Sequence, residues 1–403
     1  MIETFALSFV LSVVLIKAMM PFAVYIGMVD APCVRKRHKG KIPLVGGLAI
    51  YLTLALLGLV LPFWQMQFGL WLIALGLPLL LIGLADDRWQ ISARKRFLVE
   101  IVCGLVAVFY CNIRLYDLGY LLPNVGGSLV LLSIPLTIIG MVGVINAVNM
   151  TDGVDGLAGG LATLTFGALA FFTYPVNRPV ALQLITFVAV LGGFLVFNSR
   201  FFGRKRAAIF MGDGGSIFIG FALAWYLIML SQGEGAVIRP ADALWLIAVP
   251  LLDTMAIMGR RMRHGRSPFS ADREHLHHIL LLAGFGANRT VLIILACHLS
   301  CILVAVASIR FQVREWIVFA LFVGAFAAYF MSMNYAWKVM KRIKSFREWA
   351  GFEDRRSESS EGTGRSPGLD RRASRLQVPT DASPVEAEES CSTGAMVKAQ
   401  TDT

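Results

Sequence analysis

The chain has 403 residues, of which 57% are hydrophobic, and it carries a formal net charge of +11. Soluble domains are about 45–50% apolar, whereas apolar runs of bilayer-spanning length recur along most of this chain. These features exclude an ordinary soluble protein. The basic residues lie between the apolar runs, so they indicate membrane topology rather than a nucleic-acid partner.

The apolar runs predict an all-α polytopic membrane protein with about 11 transmembrane helices. The helices are expected at 4–26, 44–64, 69–85, 97–113, 129–149, 157–174, 180–198, 214–231, 241–258, 291–309 and 315–336. The N-terminus lacks a basic segment and a small-residue cleavage site, so it is expected to form the first span rather than a cleaved signal.

The connections between these spans differ strongly in charge. One set, formed by 27–43, 86–96, 150–156, 199–213, 259–290 and 337–347, contains 24 lysines and arginines, and the alternate set contains five. The positive-inside rule therefore predicts a periplasmic N-terminus and a cytoplasmic C-terminus. Residues 1–340 are expected to form the transmembrane domain, and 341–403 a basic and then disordered cytoplasmic tail.

The first polar cluster is the acid pair Asp86–Asp87, which precedes the basic run 94–96. Adjacent carboxylates repel each other, so both stay ionised only where a cation or a basic group compensates them. Such a pair suits a magnesium–diphosphate site. The alternative is a solvated helix end whose acids pair with nearby arginines.

The second cluster repeats polar residues at every third position, namely Asn146, Asn149, Asp152 and Asp155. On one continuous helix, Asn146 and Asp155 would face opposite sides, so the array predicts a break near Gly153. The segment contains no basic residue, so a cation or a neighbouring loop must supply the positive charge. Helix capping explains one of these acids but not the array.

The third cluster, Phe210 to Ser216, surrounds Asp213 with glycines at the start of an expected span. Glycines let backbone N–H groups approach phosphates, and an aspartate can hold Mg²⁺ on those phosphates. A plain turn with a capping aspartate is the alternative.

The fourth cluster is the 259–290 connection, in which His275, His277 and His278 follow several arginines. Imidazolium and guanidinium groups suit diphosphate binding and the stabilisation of transition-state charge. On a helix, His275 and His278 would share a face and His277 would point elsewhere, which argues against a three-histidine zinc site. An ordinary basic cytoplasmic loop is the alternative.

The order of these clusters resembles that of the polyprenyl-phosphate N-acetylhexosamine-1-phosphate transferase family, over about residues 27–340. The segments that carry the resemblance are RKRHKGKIPLVGG, GLADDR, NAVNMTDGVDGLAGG, FMGDGGS and SPFSADREHLHH. The resemblance implies a helical fold with its active site in a cytoplasmic cleft of the bacterial inner membrane. It also implies Mg²⁺, or Mn²⁺, as the cofactor.

The resemblance assigns roles to residues at the matching positions. Asp213 is expected to bind the metal, with Asn149 as a second ligand. Asp86 and Asp87 are expected to be the paired catalytic acids, with Asp86 in contact with the lipid phosphate. Further expected catalytic residues are Asp152, Asp155, His275, His277 and His278; further expected substrate-binding residues are Lys39, Lys95, Phe210 and Arg273.

Some of these assignments are more specific than others. Phe210 is expected to stack on uracil and Asp155 to contact the uracil edge. Both Arg94 and Lys95 lie near the position of a phosphate-binding lysine, and Lys95 is preferred because its ammonium is a compact point charge.

The implied reaction is phosphoryl transfer from UDP-N-acetylglucosamine to undecaprenyl phosphate, with release of UMP. Direct attack and a route through an aspartyl-phosphate both remain open. A different UDP-N-acetylhexosamine donor is the nearer alternative, and a transporter is the remote one, since the acids lie at one face rather than at mid-bilayer. The expected product is the first lipid-linked sugar of O-antigen or a related polysaccharide, and a homodimer is an open possibility.

Overall fold

A computed structural model of the chain describes residues 1–30, 42–66, 68–122, 126–201, 203–267 and 275–349. These residues are mostly helical, with one short 3-10 helix at Pro62–Trp64 and one two-stranded sheet, β1 (Val29–Asp30) and β2 (Ile42–Pro43). The α-helices are α1 (Ile2–Tyr25), α2 (Gly46–Val60), α3 (Gly69–Trp89), α4 (Ala93–Cys111), α5 (Ser133–Thr151), α6 (Leu157–Thr173), α7 (Arg178–Asn198), α8 (Gly212–Ser231), α9 (Pro240–Leu246), α10 (Ala248–Arg263), α11 (Leu276–Leu282), α12 (Ala287–Arg310) and α13 (Glu315–Trp349).

The prediction of an all-helical, multi-pass membrane protein is confirmed. Within the described segments, seven helices are long and apolar enough to cross a membrane, namely α1, α3, α5, α7, α8, α12 and α13. All 11 expected spans contain a helix, but α2 and α6 are apolar helices of only 15 and 17 residues. At 1.5 Å per residue, both are shorter than the roughly 30 Å of a hydrocarbon core. The number of spans therefore stays a prediction, as do the sidedness and the division at residue 340.

The expected span at 241–258 is not one straight helix, because α9 and α10 meet at an angle of 85°. The backbone leaves helical geometry at Ile247, three residues before Pro250. Proline lacks the N–H group that would bond to the carbonyl of residue 246, so it is tolerated in the first turn of α10 but does not support a continuous helix. The bend separates a short helix from one that carries a buried acid, Asp253.

Helix α8 occupies the centre of the fold. Of its 20 residues, 17 are buried, and it packs against α2, α3, α5, α6 and α9. A helix that is apolar on all sides belongs in the interior of a bundle. The first turn of α8 therefore meets the ends of several other helices. Met1–Val29 and Ile42–Lys338 form the compact unit that contains the residues discussed below.

Candidate active site

Glycines bring three helices together around the first turn of α8. A Cβ atom on Gly83 of α3 would lie 2.3 Å from the Cα of Gly214, and one on Gly47 of α2 would lie 2.3 Å from the Cα of Gly215. Real Cβ atoms do not approach backbone so closely, so these contacts require glycine. The expected phosphate-binding segment therefore lies directly beside the end of α3 that carries the acid pair.

The first cluster, which contains Asp87, and the third, which contains Asp213, meet at the first turn of α8. The backbone N–H of Asp213 donates to Oδ1 of Asp87 at 3.1 Å. Gly212 has a φ of +74°, and a Cβ there would lie 2.6 Å from Oδ2 of Asp87. That oxygen is buried and has no hydrogen-bond partner in the described part of the chain. An unpaired buried carboxylate oxygen is costly, so it is a candidate ligand for a cation.

Arg96 supplies positive charge to the acids. Its Nη1 atom lies 2.5 Å from Oδ2 of Asp86 and 3.5 Å from Oδ2 of Asp213. The side chain begins one turn into α4, beside the end of α3. Asp213 is more accessible than Asp86: 38% of the Asp213 side chain is exposed, against 10% for Asp86. The Asp213 carboxylate can therefore contact an incoming ligand.

Helix α5 adds an amide to the cluster. Nδ2 of Asn149 donates to Oδ1 of Asp213 at 3.0 Å and to the hydroxyl of Ser216 at 2.9 Å. Asn146, one turn earlier, instead donates to Oε2 of the buried Glu100 on α4 at 2.7 Å. Asn146, the first residue of the second cluster, therefore joins α5 to α4. It does not contact the acid cluster, the name used below for Asp86, Asp87 and Asp213.

The expected break near Gly153 is present, because α5 ends at Thr151 and α6 begins at Leu157. In this turn, Oδ2 of Asp155 accepts from Arg200 at 2.6 Å and from the backbone N–H of Ala207 at 3.0 Å. A neighbouring connection thus supplies positive charge that the segment itself lacks. Asp155 fixes the turn to the residues that precede Phe210.

Asp152 lies in the same turn and is partly exposed. Burial raises the pKa of Asp152 from 3.8 to about 7, and the nearby carboxylates of Asp213 and Asp155 add to the shift. Desolvation and like charge both disfavour the ionised form.

The three histidines stay together. The ring centroids of His275 and His277 are 5.6 Å apart and their planes differ by 8°; those of His277 and His278 are 4.2 Å apart. The expectation that His277 points elsewhere is wrong. His275 precedes α11 with extended backbone, so the spacing of a regular helix does not apply to it.

His277 packs against the 152–156 turn. A Cβ on Gly153 would lie 2.4 Å from Nε2 of His277, and the imidazole is 3% exposed. Burial lowers the pKa of His277 to about 3, and the neighbouring His278 and His275 rings lower it further. His277 is therefore neutral at physiological pH. It joins the histidine segment, defined as residues 275–278, to the turn that carries Asp152 and Asp155.

The donor set of the acid cluster fits magnesium. Asp213, Asn149 and the acid pair offer carboxylate and amide oxygens, which Mg²⁺ prefers. Within the described residues, no three His, Cys, Asp or Glu side chains are arranged to hold a metal together. Mg²⁺ is usually bound by one or two carboxylates, with water and substrate phosphates completing the shell, so this sparse set suits a metal–diphosphate complex.

The other expected residues are placed as follows. Lys39 and Arg273 lie outside the described residues. Lys95 is exposed at the start of α4. Phe210 is partly buried, and its backbone pairs with Pro43 and Gly46 at 2.9 Å each. The structure thus joins the glycine-containing segment near Gly46 to the third cluster.

Three functional candidates were not singled out from the sequence: Arg96, Asp253 and Tyr329. Arg96 is one of three consecutive basic residues, and only the helical phase of α4 distinguishes it. Asp253 lies inside an apolar run, where a single acid is a recognisable warning of function. Tyr329 contacts Asp253 across 76 positions of sequence, and no local pattern reveals that contact.

The sequence of the chain is similar to those of known proteins. Residues 69–231 match glycosyl transferase family 4. The chain is 37% identical over 327 residues to undecaprenyl-phosphate alpha-N-acetylglucosaminyl 1-phosphate transferase of Yersinia pestis, covering 81% of this chain and 89% of the relative. The proteins of the same name from Escherichia coli O157:H7 and Haemophilus influenzae are 37% and 34% identical, over 79% and 82% of this chain and 87% and 94% of those relatives.

Proposed function

Because this chain belongs to glycosyl transferase family 4, we propose that it transfers N-acetylglucosamine-1-phosphate from UDP-N-acetylglucosamine to undecaprenyl phosphate, with release of UMP. The observation that carries this proposal is the convergence of Asp86, Asp87, Asn149 and Asp213 at the ends of three helices. The names of the relatives support the acceptor and the transferred group.

The reaction joins an oxygen of the lipid phosphate to the β-phosphorus of the donor, and the bond between that phosphorus and the UMP oxygen breaks. Mg²⁺, or Mn²⁺ in its place, would neutralise diphosphate charge when held by Asp213 and Asn149. The guanidinium of Arg96 is near enough to Asp213 to approach the same phosphates.

In this proposal Asp86 acts on the acceptor, and its neighbour Asp87 positions the segment that binds the metal. A phosphomonoester has a second pKa near 6, so the lipid phosphate is largely dianionic at neutral pH and needs no strong base. Asp86 then orients the lipid phosphate or takes its last proton. Asp87 holds the start of α8 through the N–H of Asp213, which keeps the metal-binding carboxylate beside the acceptor.

The nucleoside is assigned to the side of the site formed by Phe210 and the 152–156 turn. Phe210 would stack on uracil, and Asp155 would accept from the uracil edge. Both contacts of Asp155 with Arg200 and Ala207 involve Oδ2, which supports Oδ1 as the atom that recognises the base. Lys39, Lys95 and Arg273 complete the proposed set of phosphate and sugar contacts.

The histidine segment is assigned to the diphosphate and the sugar. His275 and His278 flank the buried His277, and imidazolium N–H groups suit the binding of anionic oxygens. The charge of the connections supports a site on the cytoplasmic face of a bacterial inner membrane. The product would be the first lipid-linked sugar of O-antigen or a related envelope polysaccharide.

The test is a transfer assay on purified protein with undecaprenyl phosphate, Mg²⁺ and UDP-N-acetylglucosamine labelled separately in the sugar and the β-phosphate. We expect both labels in the lipid, with equimolar UMP in solution. UDP release with only the sugar label in the lipid would contradict phosphosugar transfer. Transfer from another UDP-N-acetylhexosamine in direct competition would retain the chemistry and change the donor.

A further inference from the structure

Asp253 is a buried acid outside the four polar clusters. It lies on α10 after the 85° bend and is 5% exposed. Oδ2 lies 2.9 Å from Nδ1 of His275. Oδ1 accepts from the backbone N–H of Leu276 at 3.1 Å and from the hydroxyl of Tyr329 at 2.6 Å. Both carboxylate oxygens are therefore used in fixing neighbouring groups.

These contacts fix the start of the histidine segment. The side chain of His275 makes no capping bond within its own helix, and Asp253 reaches from α10 to bond both the ring and the following backbone N–H. A carboxylate at Nδ1 keeps a proton on that nitrogen and leaves Nε2 as the second nitrogen of the ring, which is not bonded to Asp253. Asp253 thus determines both the orientation of the ring and which nitrogen holds the proton.

Tyr329 determines the position of Asp253. Its hydroxyl donates from α13, so the carboxylate is held between α10, α11 and α13. Burial of a carboxylate is unfavourable unless its hydrogen bonds are satisfied. Here three donors satisfy it, which gives the group one defined geometry.

Packing transmits the orientation of the His275 ring to the proposed active site. The ring of His277 stacks on His275 with planes that differ by 8°. The Nε2 edge of His277 lies so close to Gly153 that a Cβ there would be 2.4 Å from Nε2. A displacement of His275 therefore moves His277 against the turn that holds Asp152 and Asp155, because packed interiors transmit such shifts.

We propose that Asp253 and Tyr329 are positioning residues, which fix His275 and, through stacked His277, the turn of Asp152 and Asp155 for phosphoryl transfer. This inference rests on the proposed transferase function for its catalytic consequence. Neither residue contacts the acid cluster, so the effect on the reaction is indirect.

The first experiment measures position without activity. Asp253→Asn removes an acceptor and presents an amide NH₂ group to Nδ1, so we expect peptides covering 275–282 to exchange backbone hydrogens roughly tenfold faster. Asp242→Asn is the matched control: Asp242 is fully buried, ion-paired with Arg239 at 2.6 Å and bonded to Ser308. It is expected to leave exchange in 275–282 unchanged. Unchanged exchange in Asp253→Asn would overturn the inference.

The second experiment measures the catalytic consequence. We expect Asp253→Asn to lower kcat roughly 10- to 100-fold with KM within about threefold, as for other carboxylates that orient a histidine. Tyr329→Phe preserves the shape of the side chain and is expected to lower kcat roughly fivefold. Asp242→Asn should retain the kcat of the folded protein.

A double-mutant cycle separates positioning from general damage. If Asp253 acts through His275, Asp253→Asn should change kcat less than about threefold in a chain that already carries His275→Asn. Fully additive losses would overturn the inference. Absence of transfer by the unsubstituted protein would instead contradict the proposed function, and the exchange measurement would still decide whether Asp253 fixes the histidine segment.

Discussion

Asp213 is the residue at which the separate parts of the site meet. Its N–H bonds to Asp87 on α3, its carboxylate accepts from Asn149 on α5, and the same carboxylate lies 3.5 Å from Arg96 on α4. Its exposed fraction leaves it accessible to a ligand. A group that is both fixed by three helices and accessible is preorganised for a metal–diphosphate complex.

Asp213→Asn is therefore expected to lower kcat at least about 100-fold at saturating Mg²⁺, because an amide gives the metal no negative charge. The backbone bond to Asp87 does not involve the side chain, so the variant should insert and fold as the unsubstituted protein does. Transfer rates across a Mg²⁺ titration provide the measurement, with Glu234→Gln, at an exposed acid in the alternate set of connections, as the control. Turnover equal to that of the unsubstituted protein would disprove the metal assignment.

The residue scale also shows where sequence reasoning succeeds and where it ends. Asp86, Asp87, Asn149 and Asp213 were identified because charged and polar groups are rare in or beside membrane spans. Arg96 could not be distinguished from its two neighbours, because a rotation of about 100° per residue decides which side chain faces the acids. That phase depends on how α4 packs, which local sequence does not contain.

At the scale of elements, glycine contacts determine how closely the helices that carry the acids can approach. Gly83 and Gly214 let α3 and α8 pack backbone to backbone. Gly143 of α5 has open space around its Cβ position. Gly83 and Gly143 thus both lie inside helices, but only Gly83 is in close contact with a neighbouring helix.

Gly83→Ala is expected to destabilise the fold by about 1–3 kcal/mol, because the new methyl group must push α3 away from α8. Activity should fall as well, since that movement separates Asp87 from the N–H of Asp213. Gly143→Ala should be neutral or stabilising by about 0.5–1 kcal/mol, because alanine favours helix. Thermal unfolding and initial transfer rates of both variants test this pair. Equal stability of the two would show that the glycine contact does not control helix approach.

Element boundaries illustrate the same limit on prediction. The hydropathy pattern located the helical segments. Because it reports only that residues around Ile247 are apolar, it does not reveal the 85° bend between α9 and α10. Pro250 gave a hint of the bend, yet Pro21 and Pro78 lie within helices that continue past them. Whether a proline ends a helix depends on the tertiary contacts that compensate the lost hydrogen bond. The bend matters because it is followed by Asp253, whose contacts reach α11 and α13.

At the scale of the whole molecule, charge and geometry point to one face. The described site residues lie at the end of α3, the start of α4, the end of α5 and the start of α8, together with the turn after α5. All these positions border connections of the set that together contains 24 lysines and arginines, although the 150–156 connection itself contains none. The proposed binding of UDP-sugars from the cytoplasm requires the site to open on that side, where the predicted positive charge would attract anionic substrates.

Sidedness can be measured with single cysteines in a chain whose six native cysteines are replaced. Ser92→Cys lies between the acid pair and Arg96 at an exposed position, and Glu234→Cys lies in the alternate set. An impermeant thiol reagent should label Glu234→Cys in intact spheroplasts and Ser92→Cys only after the membrane is opened. Both variants should retain transfer activity, since neither side chain contacts the acid cluster. The reverse labelling pattern would place the site outside the cytoplasm, where no UDP-sugar is expected, and would contradict the proposed function together with the topology.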